Sequence, residues 1–152
     1  VTGRCTDSAL ALAPCLARFG WKDDDWDRKA AGIVAGHLLE CGGQGSGGNF
    51  SGGFERVPDL AHLGYPIAEM DEDGSFVVTK HPGTGGLVTP PVLKEQLLYE
   101  ILDPRAYATP DVCADFTSFR LEDLGHDRVR VTGVRGDPPP EQLKVSISYQ
   151  DG

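Results

Sequence analysis

The sequence predicts a mixed fold, α+β or α/β, in which early helices with a Rossmann-like element are followed by a mixed or antiparallel sheet. Three observations lead there. Apolar residues recur with helical spacing in the opening part of the chain, strand-like runs dominate its closing part, and glycine-rich turns punctuate the middle. A length of 152 residues fits one domain, 1–152, with a hinge or ligand-hugging loop over 42–53 and a β-rich part over 112–149. No internal repeat is visible.

Thr6, Asp7 and Ser8 are cap candidates for a first helix over 9–19, and Gly20 stands where that helix should stop. Pro14 falls inside the run and is expected to kink or shorten it. Asp23, Asp24, Asp25 and Asp27 crowd the start of a second helix, where the dipole favours acids. Trp26, Ala30, Ile33, Val34, His37, Leu38 and Cys41 give that helix one apolar stripe ending near residue 41. After the glycine-rich stretch 42–53, a helical turn is expected at 58–63. Strands at 66–70 and 76–80 should then join through Asp71-Glu72-Asp73-Gly74 as a hairpin. Thr89 and Pro90 open a third helix that Asp103-Pro104 should end. Strands are expected at 116–121, 128–134 and 143–149, with turns at Gly125 and at 136–140.

The chain opens on Val1-Thr2-Gly3 and closes just beyond a strand signal, so both ends read as elements interrupted in mid-course. The expectation is an internal portion of a longer polypeptide, with the remainder of that chain and a homo-oligomeric copy as protein partners.

Charge excludes several functions. Lys plus Arg number 14 against 23 Asp plus Glu, a net charge of −9. Nucleic-acid backbones and anionic membrane surfaces both demand the opposite balance. No apolar run reaches the roughly 18 residues of a membrane span, and no signal peptide opens the chain. Cys5, Cys15, Cys41 and Cys113 lack metal-ligand spacing and read as reduced thiols of a cytoplasmic protein.

Several motifs invite chemistry. Residues 23–27 spell DDxxD, but acids at a helix start explain them without a cation, and no metal is called for. Residues 43–48 match GxGxxG, yet a helix precedes them and none follows, which is the wrong context for a dinucleotide. The loop at 82–86 has a strand before it and a helix after. Gly83, Thr84, Gly85 and Gly86 therefore read either as an anion cradle or as a tight connection. Gly3, Arg4, Thr6 and Ser8 form a strand-to-helix turn whose amides, hydroxyls and guanidinium suit a carboxylate or phosphate. The competing reading is a capped helix with Arg4 paired to Asp7. His37, Glu40 and Cys41 stand at i, i+3 and i+4, so they share one side of the helix. They fit an acid–base site beside glycines, or a packed histidine in the core.

The segments 2–9, 35–42, 82–86, 94–100, 109–112 and 127–131 occur together and in order. In combination they resemble the middle portion of the acyclic terpene utilisation (AtuA-like) family, over essentially the whole chain. The resemblance implies a role in the breakdown of acyclic terpenes through CoA thioesters. It therefore implies part of an enzyme acting on a branched acyl-CoA or related carboxylate, as a lyase or hydratase. His37, Glu40 and Asp7 are then the candidate catalytic groups, and the turns at 3–8 and 83–86 the candidate anion contacts. No cofactor is required by the sequence beyond a substrate that is itself a CoA thioester. The alternative is a non-catalytic subunit or assembly module docking on a carboxylase or lyase partner.

Overall fold

In the computed structural model, which describes residues 5–143, 145 and 147–150, helix α1 spans Ala9–Phe19 and helix α2 spans Trp26–Leu39. Gly20 ends α1 at φ 64°, its N–H donating to the Leu16 carbonyl. Pro14 does not shorten the helix. It forfeits a single bond, to the carbonyl of the exposed Leu10, and the flanking turns carry α1 through to Phe19. Side-chain capping by Thr6, Asp7 or Ser8 is likewise absent. Ser8 already has helical angles, and the carbonyls of all three residues take the first amides of the helix.

The hairpin lies where alternation placed it: β1 covers Pro66–Met70 and β2 Phe76–Lys80, with Gly74 at φ 89° in the turn. Helix α3, Pro90–Leu98, starts at its proline pair but ends before Asp103, because Tyr99 turns extended and Glu100 adopts φ 60°. The rest is β-structure: β3 Tyr107–Ala108, β4 Cys113–Asp115, β5 Arg120–Gly125, β6 Arg128–Thr132 and β7 Arg135–Asp137. Turns of 3-10 helix form at Gly42–Ser46, Phe54–Arg56 and Leu60–His62.

Two antiparallel sheets result, ordered β1-β2-β6-β5 and β3-β4-β7. In the first, Phe76 faces Val131 and Val78 faces Val129, and all four are completely buried. β5 and β6 join through His126 and Asp127, both at positive φ (53° and 55°), as a two-residue type I′ turn requires. The fold is α+β. Among the described residues no Rossmann-like element is seen: the strand pairings of both sheets are antiparallel, the one parallel pairing is an isolated bridge between Leu63 and Gly85, and the strand end expected before α1 falls on residues 1–4, outside them.

Two strand expectations and one turn need correction. The 116–121 run is shifted to β5, because Phe116 and Phe119 serve as core wedges instead of ladder members. The 136–140 turn begins inside β7. Of 143–149, Leu143, Val145 and residues 147–149 form no strand, while Lys144 and Ser146 lie outside the described residues.

α2 is the axis of the core. A one-faced stripe was expected, yet every residue from 29 to 38 is buried. The cause is its neighbours: α1, α3, β1, β4 and β7 all pack against it. Gly32 and Gly36 make this possible on the α1 side, since a Cβ at Gly32 would lie 2.7 Å from Leu12 Cδ1. No helix among the described residues is long and apolar enough to cross a membrane.

Candidate functional site

Three helix ends converge: the start of α1 with Asp7 and Ser8, the end of α2 with His37 and Glu40, and the end of α3 with Gln96, Tyr99 and Glu100. His37 is 1% exposed. Its Nε2 lies 3.0 Å from the Gln96 carbonyl oxygen, and Gln96 Nε2 donates back to the His37 carbonyl at 2.9 Å. Phe116 meets the imidazole edge-on at 5.4 Å between centroids, and Tyr107 lies tilted at 5.9 Å. On the other side of the ring, Nδ1 lies 2.9 Å from Glu40 Oε1 but out of line for a hydrogen bond. Glu40 sits where α2 reaches the surface, with its side chain turned in and 16% exposed.

The electrostatics follow from that placement. Burial lowers the basicity of His37, more than its carbonyl contacts restore it. Glu40 is pushed up to about 7, first by burial and then by the negative charges of Asp7 and Glu100. Tyr107 is raised by burial and by the same three carboxylates, and Tyr99 chiefly by Glu100. Asp7 and Glu100 are themselves exposed. Burial thus shifts both groups toward their neutral forms, and near neutral pH the carboxyl is divided between its protonated and ionised forms. Such a carboxyl can give or take a proton where an ordinary glutamate is already ionised.

Among the described residues four buried side-chain polar atoms have no hydrogen-bond partner, and three belong to this region: Ser8 Oγ, His37 Nδ1 and Gln96 Oε1. Ser8 packs directly on Gly36, one residue before His37.

The structure brings His37, Glu40, Asp7 and Ser8 together and separates them from the other expected contacts. Thr6 is half-buried and gives its carbonyl to the Ala9 amide. Gly3 and Arg4 lie outside the described residues. In the 83–86 loop, Thr84 N and Oγ1 bond the His81 carbonyl, Gly85 N the His62 carbonyl and Gly86 N the Pro58 carbonyl. Those amides are committed to the protein, and Gly83 is exposed with open space around it. The 3-10 turn Gly42–Ser46 packs on Leu63, Tyr65 and Pro66. Among the described residues no group of three His, Cys, Asp or Glu is placed to hold a metal. Asp25 instead accepts from the Lys22 amide and pairs with Arg28. All four cysteines are free, and burial raises Cys15 and Cys113.

Two surface cavities, of about 520 and 420 Å³, lie at the opposite end of α2, around Asp27 and Asp73. Ten residues of helix separate Asp27 from His37, about 15 Å at the helical rise.

Gln96, Glu100 and Tyr107 complete the site and were not singled out from the sequence. For Gln96 a signal existed: it falls between Leu93 and Leu97 on the buried face of α3, where an amide needs a partner. Glu100 and Tyr107 carry no such mark, since their approach depends on where α3 ends.

The family model described as acyclic terpene utilisation family protein AtuA matches residues 1–152. No curated protein and no solved structure matches the chain. The chain belongs to the acyclic terpene utilisation family AtuA.

Proposed function

We propose that this member of the acyclic terpene utilisation family forms part of a cytoplasmic enzyme that acts on a branched acyl-CoA or related carboxylate by proton transfer, as a lyase or hydratase. The observation that carries the reading is the carboxyl of Glu40, set beside His37 at 2.9 Å and pushed up to about 7 by burial and by Asp7 and Glu100, so that near neutral pH it is divided between its protonated and ionised forms. Both reaction classes need such a group. In hydration, the protonated carboxyl gives its proton to the α-carbon while the water oxygen bonds to the β-carbon, and the carboxylate so formed takes the proton released by that water. Dehydration reverses the same transfers. His37 and Gln96 do not touch solvent and act by holding Glu40 in place, so the reacting atoms belong on the outer side of Glu40, toward Tyr99 and Glu100.

Isothermal titration of the intact protein with branched acyl-CoAs tests the reading. Saturable binding, with turnover lost in Glu40→Gln, is expected; no binding at millimolar ligand would overturn it. A second reading is favoured by one observation, the deep burial of His37 away from both surface cavities. It takes the chain as a non-catalytic module docking on a lyase or carboxylase partner. Undiminished turnover by Glu40→Gln in the intact protein would select it.

A further inference from the structure

We infer that Gln96 is the positioning residue of the His37–Glu40 pair: it fixes the imidazole as the Nε2–H tautomer, so that Nδ1 is bare and the exchangeable proton of the pair resides on Glu40. The inference rests on the proposed acid–base role of Glu40 and supplies the device that sets it.

A carbonyl oxygen only accepts, so the 3.0 Å contact between His37 Nε2 and the Gln96 carbonyl requires the proton on Nε2. A neutral imidazole then has a lone pair at Nδ1, 2.9 Å from Glu40 Oε1. Nδ1 makes no aligned hydrogen bond to that oxygen, and a bare nitrogen repels an ionised carboxylate at such a distance. A proton on the carboxyl relieves the repulsion and leaves the ring neutral, the form that its burial favours.

The sequence builds this arrangement by ending α3 early. Tyr99 leaves the helix with ψ 125°, so the Gln96 carbonyl accepts from the Tyr99 amide and keeps its second lone pair for His37. The Gln96 side chain closes the ring by donating to the His37 carbonyl at 2.9 Å, which ties α3 to the last turn of α2 and holds the carbonyl opposite Nε2. Gln96 is 2% exposed, so water does not compete for either bond. The charged and titratable groups facing the pair are Asp7 from α1, Glu40 from α2, Tyr99 and Glu100 from the end of α3, and Tyr107 from β3. Among the described residues none of these groups is a cation.

The test is the ¹⁵N spectrum of the His37 ring in the intact protein, recorded from pH 5.5 to 8. The wild type should show a protonated Nε2 and an unprotonated Nδ1 whose resonance moves as Glu40 titrates. In Gln96→Leu, the Nδ1–H tautomer should appear and the Glu40 midpoint should fall by about one pH unit. A wild-type ring protonated at Nδ1, or a Gln96→Leu ring with unchanged tautomer and midpoint, would overturn the inference. A Gln96 that merely braces the core would lower stability and move neither. Should Gln96→Leu not fold, Gln96→Met, which keeps the side-chain length but not the amide donor, is read by the same tautomer and midpoint. Failure here would leave acyl-CoA binding untouched, whereas loss of substrate binding with the tautomer intact would count against the proposed function only.

Discussion

Gly36 of α2 and Ser8 at the head of α1 touch backbone to backbone: a Cβ on Gly36 would lie 2.5 Å from the Ser8 carbonyl oxygen and 2.6 Å from its Cα. This contact brings Asp7 within electrostatic reach of Glu40, so the packing of two helices and the chemistry of the site are one arrangement.

Gly36→Ala should therefore cost about 3 kcal/mol, the upper part of the range for overpacking, because both obstructing atoms are backbone and cannot swing aside. Gly20→Ala is the control. Gly20 has φ 64° with nothing within 4 Å, so only the left-handed conformation is penalised, by about 1–2 kcal/mol. Urea melts of the two variants should rank them in that order, and the reverse ranking would break the packing account.

Glu40 makes stability depend on pH with a definite sign. Between its ordinary value of 4.5 and about 7, the folded protein holds a proton that the unfolded chain has released, so this contribution falls as pH rises through the window. At about 1.4 kcal/mol per pH unit the window corresponds to about 3 kcal/mol, which solvent contact screens to about 1–2 kcal/mol. His37, lowered in the fold, acts in the opposite sense below its ordinary 6.5. The clean measurement is therefore the difference between wild type and Glu40→Gln, at pH 5 and pH 8. The variant should gain on the wild type at pH 8; equal differences at the two pH values would contradict the burial of this carboxyl.

Glu95 ties the glycine-rich loop to α3, accepting from Ser51 N (2.8 Å), Ser51 Oγ (3.0 Å) and Gly52 N (3.1 Å). These bonds hold its carboxyl below the usual range, the Ser51 amide foremost. Glu95→Ala should speed hydrogen exchange at the Ser51 and Gly52 amides by about tenfold or more, as for a lost hydrogen bond to a charge. Because the cluster is exposed, its effect on global melting should stay near zero. Unchanged exchange at both amides would show that the loop is held by other means.

Asp127 occupies a left-handed turn position while accepting from the Val88 amide at 2.9 Å and pairing with Lys80 Nζ at 3.1 Å. Asparagine tolerates that backbone and still accepts, whereas alanine does neither. Thermal melts should place Asp127→Asn about 1 kcal/mol below wild type and Asp127→Ala about 2–4 kcal/mol below it. Equal losses would remove the acceptor role from the explanation.

The three helices and the first hairpin were legible because each carries many residues of one period: α2 has its repeat from Trp26 to Leu38, and β1 and β2 flank an Asp-Gly turn. β3, β4 and β7 were not, since two or three residues cannot display a period: β4 and β7 are placed by contact with α2, and β3 by pairing with β4. For the same reason the sequence yields an apolar stripe on α2 but not its burial on every side. In the site, His37 and Glu40 were readable from their i, i+3 spacing. Gln96 could be marked as a buried amide in need of a partner, but not as the partner of His37, 59 residues away, because that pairing depends on α3 ending at Leu98, where no proline or glycine marks the stop.

In the proposed reaction Glu40 exchanges a proton with a branched acyl substrate near neutral pH. The most direct measurement is the ¹³C titration of the Glu40 carboxyl in the intact protein, with and without a branched acyl-CoA. The account predicts a midpoint of about 7 in the free protein, displaced when the ligand is added. A midpoint in the ordinary carboxylate range, unmoved by the ligand, would contradict it.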